Sequence, residues 1–279
     1  MKVVNECYTC LTRLINQASQ LATDDKAIRE EAKCSGMKVL DTDFCLDAVS
    51  IVIATKIHKA IRYVSGTADP YLDMKKKELT LARSVSTNLR THYTEDLRGH
   101  LQFAALGNSL DFFRPLSETK RRMNKPVEFK IDHSQVFQTR LEKAQQVLYL
   151  ADNAGEIFFD LPLLGWMRQY TKVIYVVKAS PVQNDLTLED VRKASLLSEV
   201  SPVITTGTAT PGIDLALAST EFKQAFSSSD LIFAKGMGFY ESLSELPANN
   251  RYFHCLMAKC QPVAKSIGVP LDSYVAMMR

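Results

Sequence analysis

Polar residues in this chain collect where apolar runs stop. Residues 149–160 read YLADNAGEIFFD, an apolar run that closes on Asp152 and Asn153 and continues into Gly155 and the acids Glu156 and Asp160. Three more runs end in a similar way: VIYVVKA leads into SPVQND with Asn184 and Asp185, PVIT into TGTATPG, and DLIFA into Lys235 and Gly236. Asp152, Asn153 and Asp185 offer two carboxylates and an amide oxygen. An all-oxygen set of this kind suits a hard divalent ion, Mg²⁺ or Mn²⁺ first, and leaves coordination positions for water and substrate. Zinc would call for His or Cys, and neither stands in these segments. Gly155 opens a helix whose free N–H groups attract an anion, and Gly207, Thr208 and Gly212 of TGTATPG offer the same service. Lys235 adds a mobile positive charge. A cation, two helix starts and a lysine at one rim are suited to holding a phosphoryl group and stabilising its transfer. Each feature alone has a plainer reading: an Asp-Asn pair is often a turn and cap, and Glu156 with Asp160 four residues on can be a capping acid and a solvated one. Their convergence favours chemistry.

That convergence requires a sheet. From Val147 onward, short apolar runs alternate with helical stretches (VLYLA, KVIYVVKA, PVIT and DLIFAKG, with helices between), and RYFHCLMA and SYVAMM add two more strands. This rhythm predicts a mainly parallel sheet covered by helices on both faces, a three-layer α/β/α unit. Ligands of such sheets gather beyond the carboxyl ends of the strands, where all four polar loops fall. Neighbouring strands lie about 4.8 Å apart, so Asp152, Asn153 and Asp185 can share a point if their strands are adjacent. The first ~110 residues instead repeat apolar residues at helical steps. Leu11, Leu14, Ile15, Ala18 and Leu21 form one face of a first helix, and Thr23 before DDKAIRE reads as a cap. A second helix is expected towards Leu40, a third from Phe44 to Tyr63 and a fourth from Pro70 to His92, with SGTAD as the break before the fourth. RPLSETKRRMNKPVEFK, with two prolines and a charge run, reads as the connection. The expected organisation is therefore a helical N-terminal domain, 1–125, packed on an α/β metal-binding domain, 126–279.

Composition sets limits. With 279 residues, 46% of them hydrophobic and 23% charged, the chain can bury a sizeable core and fold unaided. A net charge of +3 is too balanced for a nucleic-acid binder, and the basic runs at 75–77 and 120–122 lack interleaved aromatics. No signal segment and no apolar stretch of about 20 residues is present, which points to a cytoplasmic protein without a membrane span. Six cysteines fit a reducing setting. Cys7 and Cys10 stand one helical turn apart, but zinc needs two further ligands at recognisable spacing. The five histidines show no paired spacing. VLDTDFC at 39–45 imitates an aspartyl-phosphate motif but sits among helical periodicities, so Asp41 or Asp43 is expected to cap a turn. GTATPGID has Ile213 and Asp214 where a nucleotide P-loop needs Lys and Ser or Thr.

DNAGEIFFD, PVQND, TTGTATPG, AKGMGFYESLSE and MAKCQPVA, in this order, resemble the domain of unknown function 89 family, the damage-control phosphatases with an ARMT-like metal-binding domain. The likeness is strongest to the short archaeal and bacterial branch with an N-terminal CxxC, here ECYTC, and a GNSLDFF segment, and it runs from Glu6 to near the C-terminus. The resemblance implies a helical part packed on a three-layer domain and a metal-dependent phosphatase acting on phosphorylated metabolites. It makes Asp152, Asn153 and Asp185 the metal ligands, with Glu156 positioning substrate or water and Lys235 contacting phosphate. It also brings Asn108 and Asp111 of GNSLDFF to the cleft, although Gly107–Asn108 alone reads as a helix stop. In place of the family's frequent KGQGN loop, this chain has KGMGFYE, with Met237 and Phe239, a difference that bears on substrate preference.

The expected function is removal of phosphate from sugar phosphates, nucleotides or damaged phosphometabolites, using Mg²⁺, Mn²⁺, Co²⁺ or Ni²⁺. Asp152, Glu156 and Lys235 are the catalytic candidates. Asn108, Asp111, Gly155, Gly207, Thr208 and Lys235 are the substrate-binding ones. Water is the expected nucleophile, with direct attack by Asp152 as the alternative. Two other classes fit the alternation: a sensor that binds a phosphometabolite without turnover, and an S-adenosylmethionine-dependent carboxyl methyltransferase. The absence of a Gly-rich loop after the first strand argues against the last.

Overall fold

In a computed structural model that describes residues 1–110, 121 and 123–279, the helical periodicity of the first half becomes α1 (Asn5–Ala22), α2 (Lys26–Asp43), α3 (Ser50–Ser65), α4 (Leu72–Arg90) and α5 (Leu97–Gly107). Leu11, Leu14, Ile15 and Ala18 of α1 are buried as expected, whereas Leu21 is exposed. The cap of α2 is Asp25 rather than Thr23. Its carboxylate accepts from the Ala27 and Ile28 N–H groups at 2.8 and 3.1 Å, and an ionised acceptor suits the positive helix end better than a hydroxyl. Helix α2 continues through Asp41 and Asp43, so neither caps a turn. Asp41 accepts from the Tyr8 hydroxyl, and Asp43 pairs with Lys56 at 3.1 Å.

The second half supplies β1 (Phe129–Asp132), α6 (Ser134–Leu141), β2 (Gln146–Leu150), a 3₁₀ turn at Ala154–Glu156 and α7 (Ile157–Met167). Next come β3 (Lys172–Val177), α8 (Leu188–Lys193), α9 (Leu197–Val200), β4 (Val203–Thr205) and α10 (Thr220–Ser228). The chain closes with β5 (Leu231–Lys235), α11 (Gly236–Leu243), β6 (Tyr252–Met257), α12 (Gln261–Ile267) and β7 (Tyr274–Met278). The single helix expected near Leu188–Leu197 is two, because Ser195 takes a left-handed φ of 59° between them. Strand β1, which sequence alternation did not announce, is four residues long and pairs only with β7 at the sheet edge.

The seven strands run in the order β1-β7-β6-β5-β2-β3-β4. Strands β6, β5, β2, β3 and β4 are mutually parallel, while β7 is antiparallel to β6 and carries β1 parallel to itself. From β2 the chain steps outward to β3 and β4, then returns to the other side of β2 with β5. The strand order reverses beside β2, which puts a ligand crevice at the carboxyl ends of β2 and β5.

Alternation along each strand divides the core. Val147, Tyr149, Val173, Tyr175 and Phe233 face one layer with residues of α5, α6 and α7. Leu148, Leu150, Ile174, Val176 and Ile232 face the other, with Phe222 and Phe226 of α10 and Phe239 and Leu243 of α11. Helices α1 to α3 close on a core of their own around Ile15, Leu40, Ile57 and Ile61. Helices α4 and α5 join the core under the sheet through Ala82, Leu89, Leu101 and Phe103. The Phe103 ring lies 4.9 Å from that of Phe159 in α7, and truncating a buried aromatic of this kind costs about 3–5 kcal/mol. This packing carries the end of α5 to the crevice.

Candidate metal centre and phosphate cleft

Main-chain hydrogen bonds join the turns after β2 and β3. Leu186 N–H donates to the Asp152 carbonyl at 2.8 Å, and Ala154 N–H to the Asn184 carbonyl at 2.8 Å. Between them Asn153 and Asp185 form an isolated antiparallel bridge. The chain folds back after β3 through Gln183, which takes φ 46°, a conformation costing a non-glycine residue on the order of 1 kcal/mol. The three predicted ligands are thereby neighbours across one backbone seam, although they come from two crossover turns.

Amide hydrogen bonds set the orientation of the donors. Asp152 Oδ2 accepts from Asn153 Nδ2 at 3.0 Å and from Asn108 Nδ2 at 3.1 Å. The same two amide groups donate to Glu156 Oε1, at 2.6 and 2.9 Å. Asn108 also accepts the Met257 N–H at 2.9 Å, which ties the end of α5 to the end of β6. With both amides so committed, Asp152 Oδ1 and Asn153 Oδ1 are left over as donors. Asp185 Oδ2 has no hydrogen-bond partner among the described residues, and its companion charge is Lys178 Nζ at 3.4 Å.

Electrostatics point the same way. Burial pushes the Asp152 carboxyl well above the usual carboxylate range, and the charges of Glu156 and Asp185 push it further. Burial likewise raises Asp185, to about 6, against the pull of Lys178. For Glu156, burial is outweighed by Lys235, Lys259 and its own hydrogen bonds, and the net displacement is downward. Two carboxyl groups that resist ionising side by side, with left-over oxygen atoms at one seam, fit a divalent cation, whose charge relieves the repulsion. Among the described residues no cluster of three or more His, Cys, Asp or Glu side chains is gathered as for a metal, so the site rests on the two carboxylates and the amide.

Lys235 is fixed, not mobile as expected. Its ammonium contacts Asp160 Oδ1 at 2.7 Å, Glu156 Oε2 at 2.9 Å and the Ala104 carbonyl at 2.7 Å, and the side chain is fully buried. Two residues after Phe233 on the same strand, it points into the layer under α5 and α7 instead of up to the rim. The two carboxylates hold its pKa above the ordinary lysine value despite burial. Asp160 is neither solvated nor free: Tyr149 and Tyr175 hydroxyls donate to it at 2.7 and 2.9 Å.

Of the expected anion cradles, Gly155 packs tightly under Leu110 and Glu78. Gly207, at φ 77°, lies against Ser219, which caps α10, and Thr208 accepts the Ala179 N–H at 3.3 Å beside the end of β3. The Gly212 carbonyl accepts from buried Lys178. Asp111 lies outside the described residues.

Sequence reading missed three contributors. Gly236 takes φ 73°, and an added Cβ would fall inside the Asp152 carboxyl, 2.8 Å from its Oδ1 and closer to Oδ2. Lys259 follows β6, is half-buried, and favours the ionised forms of Asp152, Glu156 and Glu78. Its ammonium has no ion-pair partner among the described residues. Lys178 lies 4.2 Å from the Phe239 ring centre beneath Asp185. The available signal was positional: Lys178 and Lys259, like Lys235, stand where an apolar strand ends.

The six cysteines are free, with Cys7 buried and Cys10 exposed, and among the described residues no helix is long and apolar enough to cross a membrane.

The strand-order reversal of an α/β sheet, with oxygen donors and lysines gathered at the carboxyl ends of its strands, is the setting of a phosphoryl-handling hydrolase. Residues 3–275 match the damage-control phosphatase ARMT1-like domain, and the chain belongs to that family. It is 34% identical to a damage-control phosphatase of Pyrococcus horikoshii, over 99% of this chain and 98% of the relative. A damage-control phosphatase of Archaeoglobus fulgidus is 29% identical over 99% of both chains. The crystal structure of a DUF89 family protein from Pyrococcus horikoshii superposes with a TM-score of 0.90 at 32% identity, covering 100% of this chain and 99% of the other.

Proposed function

We propose that this protein hydrolyses phosphate monoesters of small metabolites with a divalent ion held by Asp152, Asn153 and Asp185. The observation that carries this reading is the seam between Asn153 and Asp185, beside which an Asp185 oxygen accepts no hydrogen bond among the described residues and faces Lys178 at 3.4 Å. When bound, such an ion supplies positive charge to the phosphoryl oxygens and acidifies a water at neutral pH. Mg²⁺, Mn²⁺, Co²⁺ and Ni²⁺ all fit an oxygen set of this type.

The side chains then divide the work. Glu156, kept ionised by Lys235, gathers the Asn108 and Asn153 amide nitrogens on one oxygen and so orients the Asn153 oxygen left for binding. Lys235 acts through Glu156 and Asp160. Lys259, half-buried and unpaired among the described residues, is the cation placed to meet the substrate phosphate. Gly236 keeps the space around the Asp152 carboxyl open. Sugar phosphates, nucleotides and damaged phosphometabolites are the proposed substrates, with nucleic acid polymers outside the range.

The test is phosphate release from a panel of these esters with each of the four ions. Asp185→Ala is expected to abolish metal-dependent release while leaving the fold intact by circular dichroism. Unchanged release by that variant would remove the ligand assignment. Binding of phosphometabolites with no turnover on any ester would indicate a sensor.

A further inference from the structure

Helix α4 belongs to the helical half, yet two of its side chains end in the crossover that carries Asp185. Glu78 is fully buried, and its Oε1 accepts from Asn184 Nδ2 at 2.7 Å. One helical turn earlier, Lys75, also buried, contacts Asp190 Oδ2 at 2.8 Å and Asp69 Oδ2 at 2.8 Å. Residues three apart share a helix face, so α4 grips the segment 184–190 at both ends. Glu78 reaches the other ligand turn as well. Its Cβ and carbonyl lie 3.2 Å from where a side chain on Gly155 would begin, a tight fit that an added methyl could enter only by pushing α4 back.

We propose that Glu78 is a positioning residue for the metal: its carboxyl fastens Asn184, and its backbone seats the Gly155 turn, so that Asp185 is held in register with Asp152 and Asn153. This rests on the metal assignment above and adds a residue from a helix outside the sheet. The carboxyl needs no negative charge for the task. Burial raises its pKa above the usual carboxylate range, opposed by the Asn184 hydrogen bond. A glutamine is then a close substitute, because its carbonyl oxygen can accept the same Asn184 hydrogen bond. Groups that orient metal ligands from behind contribute about 10- to 100-fold in metal affinity.

The experiment is calorimetric titration of the full chain with Mn²⁺, alongside thermal unfolding in EDTA to separate fold from site. Glu78→Ala is expected to bind Mn²⁺ roughly 10- to 100-fold more weakly, and Glu78→Gln within about threefold of the unmodified chain, less than the 1 kcal/mol of an ordinary hydrogen bond. Asn184→Ala should weaken Mn²⁺ to the same degree as Glu78→Ala, and the double variant should be no worse than either, since both remove one link. Equal Mn²⁺ affinity in folded Glu78→Ala and the unmodified chain would overturn the proposal, as would a double variant whose losses multiply. If Glu78→Ala does not fold, Asn184→Ala decides: unmodified affinity there overturns it. Failure of the unmodified chain to bind Mn²⁺, Mg²⁺, Co²⁺ or Ni²⁺ would refute the metal reading instead.

Discussion

Replacing Gly236 by alanine should disable the site at a moderate cost in stability, and the geometry sets both magnitudes. Gly236 opens α11 directly after Lys235 with φ 73°. An alanine in that conformation costs about 1–2 kcal/mol, a loss that lowers the melting temperature by several degrees in a chain of this size. The added methyl also enters the space of the Asp152 carboxyl, 2.8 Å from Oδ1 and nearer to Oδ2. The carboxylate must retreat by on the order of 1 Å, a misplacement that costs roughly 100-fold in rate. Retreat also breaks its bonds from Asn108 and Asn153, at 3.1 and 3.0 Å. Gly268→Ala is the control. Gly268 has φ 82° with nothing within 4 Å of the added methyl, so it carries comparable backbone strain far from the crevice. The assay is kcat/KM for a phosphate ester at saturating Mn²⁺, with melting temperature measured on both variants. Expected are a stability loss in Gly236→Ala that exceeds that of Gly268→Ala by about 1–2 kcal/mol for the lost hydrogen bonds, about 100-fold lower kcat/KM in Gly236→Ala and unchanged kcat/KM in Gly268→Ala. Activity of Gly236→Ala within threefold of the unmodified chain would refute the reasoning, because the carboxylate would then tolerate displacement.

Lys259→Met should lower kcat/KM by about 10-fold or more through lost contact with the phosphate, at unchanged Mn²⁺ affinity and melting temperature; a stability loss with intact kinetics would make it a structural residue. Lys235→Met leaves Glu156 and Asp160 buried without their cation and should cost about 3–5 kcal/mol in urea unfolding, with loss under 1 kcal/mol counting against the network. The contribution of His58 and His254 to folding stability should fall as the solution is acidified, against the opposite contribution of the raised carboxyls Asp152, Asp185 and Glu78. Burial, the dominant cause, lowers His58 and His254 to about 3 from the ordinary 6.5, so below pH 6.5 the unfolded chain binds protons that the folded chain refuses. Each histidine then removes about 1 kcal/mol per pH unit between pH 6 and 5. Substituting both by Met should change the slope by about 2 kcal/mol per unit relative to the unmodified chain, and parallel slopes would show that these side chains are not neutral in the fold.

That Asp152, Asn153 and Asp185 stand in the turns after strands was legible because strand ends are marked by apolar runs, a local property. Helix boundaries were legible to within two residues for α4, whereas α3 starts at Ser50, six residues after the expected Phe44. Strand β1 was not legible, since its four residues, alternately half-buried and exposed at a sheet edge, make too short a run to register. Lys235 was misjudged as mobile. Its chemistry was readable, but the face of β5 it occupies, and the two carboxylates waiting under α7, are long-range facts.

The sequence by itself determined the alternation of strand and helix, the donor types and their place at strand ends, since each follows from propensity and polarity within a few residues. Tertiary structure alone decided which ends meet. Strand order β5-β2-β3 placed two turns side by side, the return at Gln183 brought position 185 back to position 153, and docking of α4 and α5 delivered Glu78 and Asn108 to the same crevice. Such contacts span up to 149 positions, as between Asn108 and Met257. They arise from packing of apolar faces that no local window can pair, which is why a lysine's partners became knowable only in the folded chain.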